Sequence, residues 1–385
     1  MTRNVRSVVL PVVLERSLSQ GHPWVYREHV PPGFQAEAGA WVQVTCGAFQ
    51  GFGLWEPTSA IALRIYSRKE CPDAGFFQRT VARAWEHRAS VRSSETDAFR
   101  LLNGEGDGVP GIIADVYGPF CVLVAYSPAC EELLPEVARA IGKVHRFKGI
   151  VGRSAQEPDL RALVGDLPPD AFPVREHGLK HRVHLHTAQK TGLFLDHREN
   201  RVWLGERARG RSVLNLFSYT GAFSLHALKG GASTVTSVDQ SAPACEAARE
   251  NFLLNGFDPA TSPIVAQDAN TFLTACKTEF DIVVSDPPSF AREKKQRALA
   301  LRAYTRLHTL ALSRVKAGGL FCAASCTAQV SEDAFTETLA EAGAHLKLGL
   351  QIIHRGTQAT DHPWQVGHPE GRYLKFLALR VTRHA

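Results

Sequence analysis

From Arg211 onward the chain alternates β-forming and helical stretches with a regularity that few folds accommodate. Apolar runs at 212–217, 234–238, 263–266, 281–285 and 320–324 read as strands, and stretches at 222–228, 242–255, 298–315 and 331–344 read as helices. Two late strands, 350–354 and 373–381, close the series. Strands that alternate with helices build a parallel sheet covered on both faces. The expected architecture is therefore a doubly wound, Rossmann-like α/β domain whose ligands sit outside the carboxyl ends of the strands.

With 385 residues the chain exceeds one ordinary core, and its upstream part has a different texture. Short runs rich in β-formers at 8–14, 41–45, 51–55 and 61–66 are separated by Gly and Pro clusters such as Gly21-His22-Pro23, as in a small β-barrel. From Cys71 to about Arg175 helices at 76–91 and 131–141 flank strands at 110–116 and 120–125, with the glycine- and Asx-rich turn 103–108 between them. We expect three domains: a β-barrel over 1–70, an α+β domain over 71–175, and the doubly wound domain over 176–385.

No segment reaches the roughly 18 apolar residues a membrane span requires. The N-terminal stretch lacks the pattern of a secretory signal, so a cytoplasmic protein is expected. The eight cysteines lack zinc-site spacing and the density of a disulfide scaffold. A formal charge of +6 permits a polyanionic partner without establishing one. Oligomeric state stays open between monomer and homodimer.

The first strand-to-helix turn, Phe217-Ser218-Tyr219-Thr220-Gly221, carries one glycine where a dinucleotide fold needs three. S-adenosylmethionine has no pyrophosphate and needs only close approach of its aminoacyl arm, so the single glycine favours that cofactor over NAD. Asp239, ending the second strand, suits the ribose hydroxyls; a helix N-cap is its alternative reading. Asp268 after the third strand could accept from the adenine amine or from a neighbouring amide. With Asp286-Pro287-Pro288 at the next strand end, three acidic residues fall on one edge.

The motifs Gln189-Lys190-Thr191-Gly192-Leu193-Phe194-Leu195-Asp196-His197-Arg198, Leu214-Asn215-Leu216-Phe217-Ser218-Tyr219-Thr220-Gly221, Asp286-Pro287-Pro288-Ser289-Phe290 and Ser325-Cys326-Thr327 occur in that order. They resemble the large-subunit ribosomal RNA cytosine-C5 methyltransferase I family, nearly end to end. Gly21-His22-Pro23-Trp24-Val25-Tyr26 looks like that family's PUA domain, an RNA-binding β-barrel, and Gly104-Glu105-Gly106-Asp107-Gly108 falls in its central domain. The resemblance implies a class I methyltransferase domain using S-adenosylmethionine, with ribosomal RNA as partner. It adds Phe194, Asp196, Arg198, Asn215 and Pro287 to the cofactor contacts. Phe194, Asp196 and Arg198 would share one face of an extended segment; a core Phe beside a surface Asp–Arg pair is the bland alternative.

Carbon 5 of cytosine is a poor nucleophile, so a thiolate must first add at carbon 6. Cys326, just beyond the strand 320–324, is the candidate, with a buried structural thiol as the competing reading. Cys322, inside that strand, reads as core. Asp286 would hold the base by accepting from its exocyclic amine or, if protonated, by donating to ring nitrogen 3; turn chemistry before Pro287 is its alternative. The base that removes the carbon-5 hydrogen is not identified. The sequence departs from the family at Thr327, usually serine, and at Ser289, where several relatives carry lysine. A guanine N-methyltransferase, for example at N7, is the runner-up, since a related branch with a similar Asp-Pro-Pro-x-Phe motif needs no cysteine. A non-catalytic RNA-binding scaffold would be expected to lose Gly221, Asp239 or Asp286, and all three are present.

Arg292, Lys294, Lys295 and Arg297 follow the Asp-Pro-Pro loop, where the phosphates of an entering strand would pass; a solvated charged face is the alternative. Pro288 offers a rigid surface for a flat base. Arg16 and Trp24 are the RNA-contact candidates of the first domain, although Trp24 could equally pack the barrel. His177, His181, His184 and His186 lack Cys or carboxylate partners at ligand spacing, so no metal is expected.

Overall fold

The computed structural model describes residues 5–154, 157–186, 193–291 and 293–383, with only the backbone of Lys294. The chain divides into two compact units. One comprises Met1–Gly178, Val183–Gly192 and Thr360–Gly371; the other comprises Leu179–Arg182, Leu193–Ala359 and Arg372–Ala385.

The first unit carries two five-stranded sheets. In the first, β1 (Arg6–Val9), β2 (Trp24–Tyr26), β3 (Trp41–Cys46), β4 (Phe49–Trp55) and β5 (Ile61–Ser67) lie in the order β1-β3-β4-β5-β2. Alternation along β3 turns Val42, Val44 and Cys46 into a core shared with Phe49 and Leu63. The strand expected at 8–14 stops at Val9. Pro11 has no N–H for a ladder, and Val12–Leu14 form a 3-10 turn leading into α1 (Glu15–Ser19). Residues 24–26, read from the sequence only as aromatics beside a turn, form the edge strand β2, antiparallel to β5.

The second sheet runs β10-β9-β8-β7-β6, from β6 (Ala98–Asn103), β7 (Ile112–Tyr117), β8 (Phe120–Ala125), β9 (Gly149–Ser154) and β10 (Arg161–Gly165). Helices α2 (Ala74–His87), α3 (Pro128–Glu131) and α4 (Leu134–Val144) accompany it. The single helix expected at 131–141 is two, because Pro135 in the first turn of α4 cannot continue a helix from α3. One core joins Phe77 of α2, Leu101, Ile112, Leu123 and Val137 to Trp41, Leu54 and Tyr66 of the first sheet. Tyr66 Oη also donates to Pro110 O at 2.7 Å. The glycine-rich stretch forms the 3-10 turn Gly104–Asp107, in which Asp107 receives the buried Arg88 guanidinium at 2.6 and 2.7 Å. The chain then passes through β11 (Phe172–Glu176) and β12 (Leu179–Val183).

The second unit contains the doubly wound sheet expected from the sequence. A 3-10 turn, Leu195–His197, and α5 (Arg198–Gly205) precede β13 (Ser212–Leu216), α6 (Ala222–Lys229), β14 (Thr234–Asp239), α7 (Ala242–Leu254) and β15 (Ile264–Ala266). There follow α8 (Ala269–Ala275), β16 (Phe280–Ser285), α9 (Arg297–Leu312), β17 (Val315–Ser325), α10 (Glu332–Leu346), β18 (Leu348–Gly356) and β19 (Lys375–Arg383). Strand order is β15-β14-β13-β16-β17-β19-β18, parallel through β17, with β19 antiparallel to both neighbours. Alternate residues feed opposite faces: Leu214, Val283 and Phe321 join one core, and Val213, Val284 and Cys322 the other. Helix α8 was not foreseen, since two turns carry too few apolar positions to establish a period. Among the described residues no helix is long and apolar enough to cross a membrane.

Candidate active site

Chain connections leave β13 toward β14 on one side and β16 on the other, so a crevice opens at the carboxyl ends of these strands. The turn after β13 alternates into left-handed backbone at Phe217 (φ 56°), Tyr219 (φ 48°) and Gly221 (φ 82°). Two such non-glycine residues in one turn are strained, by roughly 1–3 kcal/mol each, and need external support. Asp239 supplies it: Oδ2 accepts from Tyr219 N at 2.8 Å and Oδ1 from Ser241 N at 2.9 Å. Ser241, not Asp239, caps α7, accepting from Ala244 N at 3.3 Å. A carboxylate has about four lone-pair positions, so two are left for ligand hydroxyls.

Gly221 opens α6, and a Cβ there would lie 3.0 Å from Phe252 Cε1, which adds a steric reason for glycine to its positive φ. Ser218 Oγ and Ser285 Oγ, at the ends of β13 and β16, are buried without a hydrogen-bond partner among the described residues. Thr220 is buried, and its carbonyl accepts from Asn251 Nδ2 at 3.0 Å. Asn215 points inward: its Nδ2 donates to Ser224 Oγ at 2.9 Å, and Ser224 in turn meets Ser237 Oγ at 2.8 Å. Asp268 caps α8, Oδ1 accepting from Thr271 N at 2.9 Å.

Phe194 packs edge-on against Tyr219, centroids 5.2 Å apart. The extended geometry expected for 194–198 does not hold. Phe194 is extended, but Leu195–His197 form a 3-10 turn and Arg198 begins α5, so the three side chains do not share a strand face. Asp196 Oδ2 accepts from Tyr373 Oη at 2.8 Å, and Arg198 is buried with Glu199 Oε1 at 3.2 Å. Residues Gln189 to Gly192 and Arg292 lie outside the described residues, as does the Lys294 side chain.

Asp286 and Cys326 follow the adjacent parallel strands β16 and β17. Both are partly exposed, Pro287 is buried and Pro288 exposed. Asp286 Oδ2 stands 3.3 Å from His197 Nε2, a residue whose role nothing in the sequence announced. Asn200 Nδ2 donates to Thr357 O at 3.2 Å and lies 3.0 Å from His197 Nδ1. With Nδ1 accepting from that amide, the ring proton sits on Nε2 and is presented to Asp286. Burial favours the neutral ring, but the charge and hydrogen bond of Asp286, with the charge of Asp196, outweigh it and the opposing charge of Arg201, and raise the His197 pKa.

Around Cys326 the loop is held by two groups the sequence did not single out. Tyr304 Oη reaches Ser325 Oγ at 2.9 Å and Thr327 Oγ1 at 2.8 Å, and burial pushes its pKa up to about 12. Thr327 Oγ1 also accepts from Phe290 N at 3.4 Å, so one hydroxyl ties the Asp-Pro-Pro loop to the cysteine loop. The replacement of serine by threonine keeps that hydroxyl. Lys375, buried at the start of β19, donates to Thr327 O, Val330 O and Tyr373 O at 2.8–3.0 Å. Burial lowers its pKa to about 8, opposed by the charges of Cys326 and Glu332. Cys322 lies wholly in the core, its thiol pushed up to about 12 by burial.

Of the RNA-contact candidates, Arg16 and Arg297 are exposed, and Lys295 pairs with Glu293 at 2.7 Å on the surface. Trp24 is half-buried; its Nε1 donates to Glu105 Oε1 at 2.9 Å and its ring centroid lies 4.4 Å from that of His368.

A family model described as S-adenosylmethionine-dependent methyltransferase matches residues 139–361, and one described as PUA-like domain matches 13–68. Ribosomal RNA large subunit methyltransferase I of Klebsiella pneumoniae is 34% identical, over 97% of this chain and 98% of its own. Its counterpart from Erwinia tasmaniensis is 35% identical over 95% and 97%. A crystal structure described as a methyltransferase complexed with SAH superposes with a TM-score of 0.88 at 25% identity, covering 98% of this chain and 100% of that one. The chain therefore belongs to the S-adenosylmethionine-dependent methyltransferases, in the family of ribosomal RNA large subunit methyltransferase I. S-adenosylmethionine is its cofactor. The crevice fits it: a glycine-lined turn, an acid with acceptor capacity to spare, and two orphaned serine hydroxyls at the strand ends.

Proposed function

We propose that this enzyme methylates carbon 5 of a cytosine in large-subunit ribosomal RNA, with Cys326 as nucleophile. The observation that carries the reading is the placement of Cys326 and Asp286 on neighbouring strand ends, their loops joined through Thr327. The bound cofactor supplies an electrophilic methyl group. The Cys326 thiolate adds to carbon 6, its electron pair forming the C–S bond and pushing density onto carbon 5, which then takes the methyl group. A base removes the carbon-5 proton, the C5–C6 double bond re-forms and the thiolate leaves. Asp286 accepts from the exocyclic amine, and His197 is a positioning residue: its Nε2–H occupies Oδ2 and leaves Oδ1 for the base. Lys375 contributes a positive charge to the loop whose sulfur must be anionic when it attacks.

On this reading Gly221, Asp239, Asp268 and the Phe217–Thr220 backbone line the cofactor crevice, with Phe194 closing over Tyr219. Residues 1–70 form the RNA-binding PUA-like module, 71–175 the central domain and 176–385 the catalytic one. Incubating the enzyme with RNA containing 5-fluorocytosine, whose carbon 5 cannot lose a proton, tests the mechanism. A covalent adduct that disappears in Cys326→Ala is expected; one that persists overturns the nucleophile. Mass spectrometry of nucleosides from treated ribosomal RNA tests the substrate: 5-methylcytidine supports the reading and a methylguanosine overturns it.

A further inference from the structure

Three side chains of the first unit converge without a role in the chemistry above. His22 precedes β2, and His368 and Glu370 lie in the stretch Thr360–Gly371. One ligand atom from each lies within 4.8 Å of the others. His22 Nε2 is 3.5 Å, and His368 Nε2 3.7 Å, from Glu370 Oε2. Ligands of a tetrahedral zinc ion, at ~2.0–2.1 Å from the metal, stand roughly 3.3 Å apart. Two edges of such a polyhedron are thus already within a few tenths of an ångström.

The second observation is independent of that geometry. His368 is 2% exposed, and neither ring nitrogen has a hydrogen-bond partner among the described residues. An orphaned buried imidazole costs about 1–3 kcal/mol, so the site asks for a ligand. His22 Nδ1 accepts from Trp24 N at 3.2 Å and also lies 3.3 Å from Trp24 O. Metal binding at Nε2 displaces the ring proton, which Nδ1 can carry and donate to that carbonyl, as ligating histidines do with their outer partners.

We infer that His22, His368 and Glu370 bind one divalent transition-metal ion of the zinc class, which clips the 360–371 segment onto β2. Two imidazoles and one carboxylate suit such an ion and not magnesium or calcium. Glu370 is 45% exposed, so a water can complete the coordination. The segment is already pressed against the turn before β2: a Cβ on Gly367 would lie 2.1 Å from Gln20 O. The ion adds a fastening between residues remote in sequence, where restraint of the unfolded chain is worth most.

The full chain, without a purification tag and stripped by a chelator, is to be titrated with Co2+ and then Zn2+. One Co2+ per chain is expected, with the intense visible absorption of four-coordinate cobalt, displaced by Zn2+. His368→Ala and Glu370→Gln should each weaken Co2+ binding more than about tenfold, beyond the loss that outer partners cause. Saturating Zn2+ should raise the melting temperature of the parent and not of these variants. Should His368→Ala fail to fold, the shape-conserving Glu370→Gln decides. Absence of saturable Co2+ uptake overturns the inference, as does uptake undiminished by Glu370→Gln, which would place the ion elsewhere.

Discussion

The β13–β14 side of the second unit's crevice is shaped by backbone, whereas the β16–β17 side is shaped by side chains. On the first side three left-handed residues, with Asp239 accepting two of the neighbouring amides, set the form of the cradle. On the second, Asp286 and Cys326 are held by His197, Tyr304 and Lys375, from three other stretches of chain, and by Thr327 beside the cysteine. Substitutions on the first side should therefore act on cofactor affinity, and on the second on rate.

The largest expected effect breaks or upholds that division directly. Cys326→Ala should slow methyl transfer by more than about 1000-fold, because the covalent adduct that activates carbon 5 is lost with the thiol. Its dissociation constant for S-adenosylmethionine, by calorimetry, should stay within about twofold. A variant retaining activity would remove the thiol from the chemistry. Asp239→Ala should do the converse, weakening S-adenosylmethionine about 10- to 100-fold, since hydrogen bonds to a charged acceptor are worth roughly 1.5–3 kcal/mol. With cofactor saturating, kcat should change only a few-fold. A collapse of kcat at unchanged affinity would place Asp239 on the wrong side of the comparison.

The same contrast explains what the sequence disclosed. The cradle is built within one strand–helix–strand unit, its turn supported by Asp239 at the next strand end, so a strand, one glycine and an acid at that spacing were enough to draw attention to it. The failure at 194–198 is local too: an alternation of Phe194, Asp196 and Arg198 suits a strand, but Arg198 is drawn into α5 and the preceding residues tighten into a 3-10 turn. The grip on Cys326 depends on Tyr304 and Lys375, which carry no motif and read as ordinary helix and strand residues. His197 lay inside a quoted motif, yet only the fold brings its Nε2 to Asp286. In the first unit, β2 escaped notice because an edge strand of three residues is too short to show a period.

Smaller effects sharpen the side-chain half. Thr327→Val removes the hydroxyl shared by Tyr304 and Phe290 and should lower kcat about tenfold, equivalent to ~1.4 kcal/mol, while Thr327→Ser stays near the parent. Equal losses in both variants would make the methyl group, and not the hydroxyl, responsible. Lys375, with a pKa of about 8, loses its charge as pH rises through that value, and its hold on three carbonyls weakens with it. The pH profile of kcat should therefore descend on its alkaline side near 8, and Lys375→Arg, which stays protonated, should move that descent upward. A descent unmoved by arginine would assign it to another group.

The smallest expected effect concerns the charge run after the Asp-Pro-Pro loop. Lys295 is 79% exposed and its pair with Glu293 is a surface one, so Lys295→Ala should leave the melting temperature unchanged. Were the lysine on the path of single-stranded RNA, the loss of one phosphate contact would reduce the slope of log affinity against log salt by about 0.7. Binding at low salt would fall a few-fold, equally for every RNA sequence, because a phosphate contact carries no base information. Glu293→Gln, which frees the ammonium from its partner, should tighten binding slightly in the same assay. A slope unchanged in both variants would return this cluster to the role of a solvated face and leave RNA recognition to the crevice and the PUA-like module.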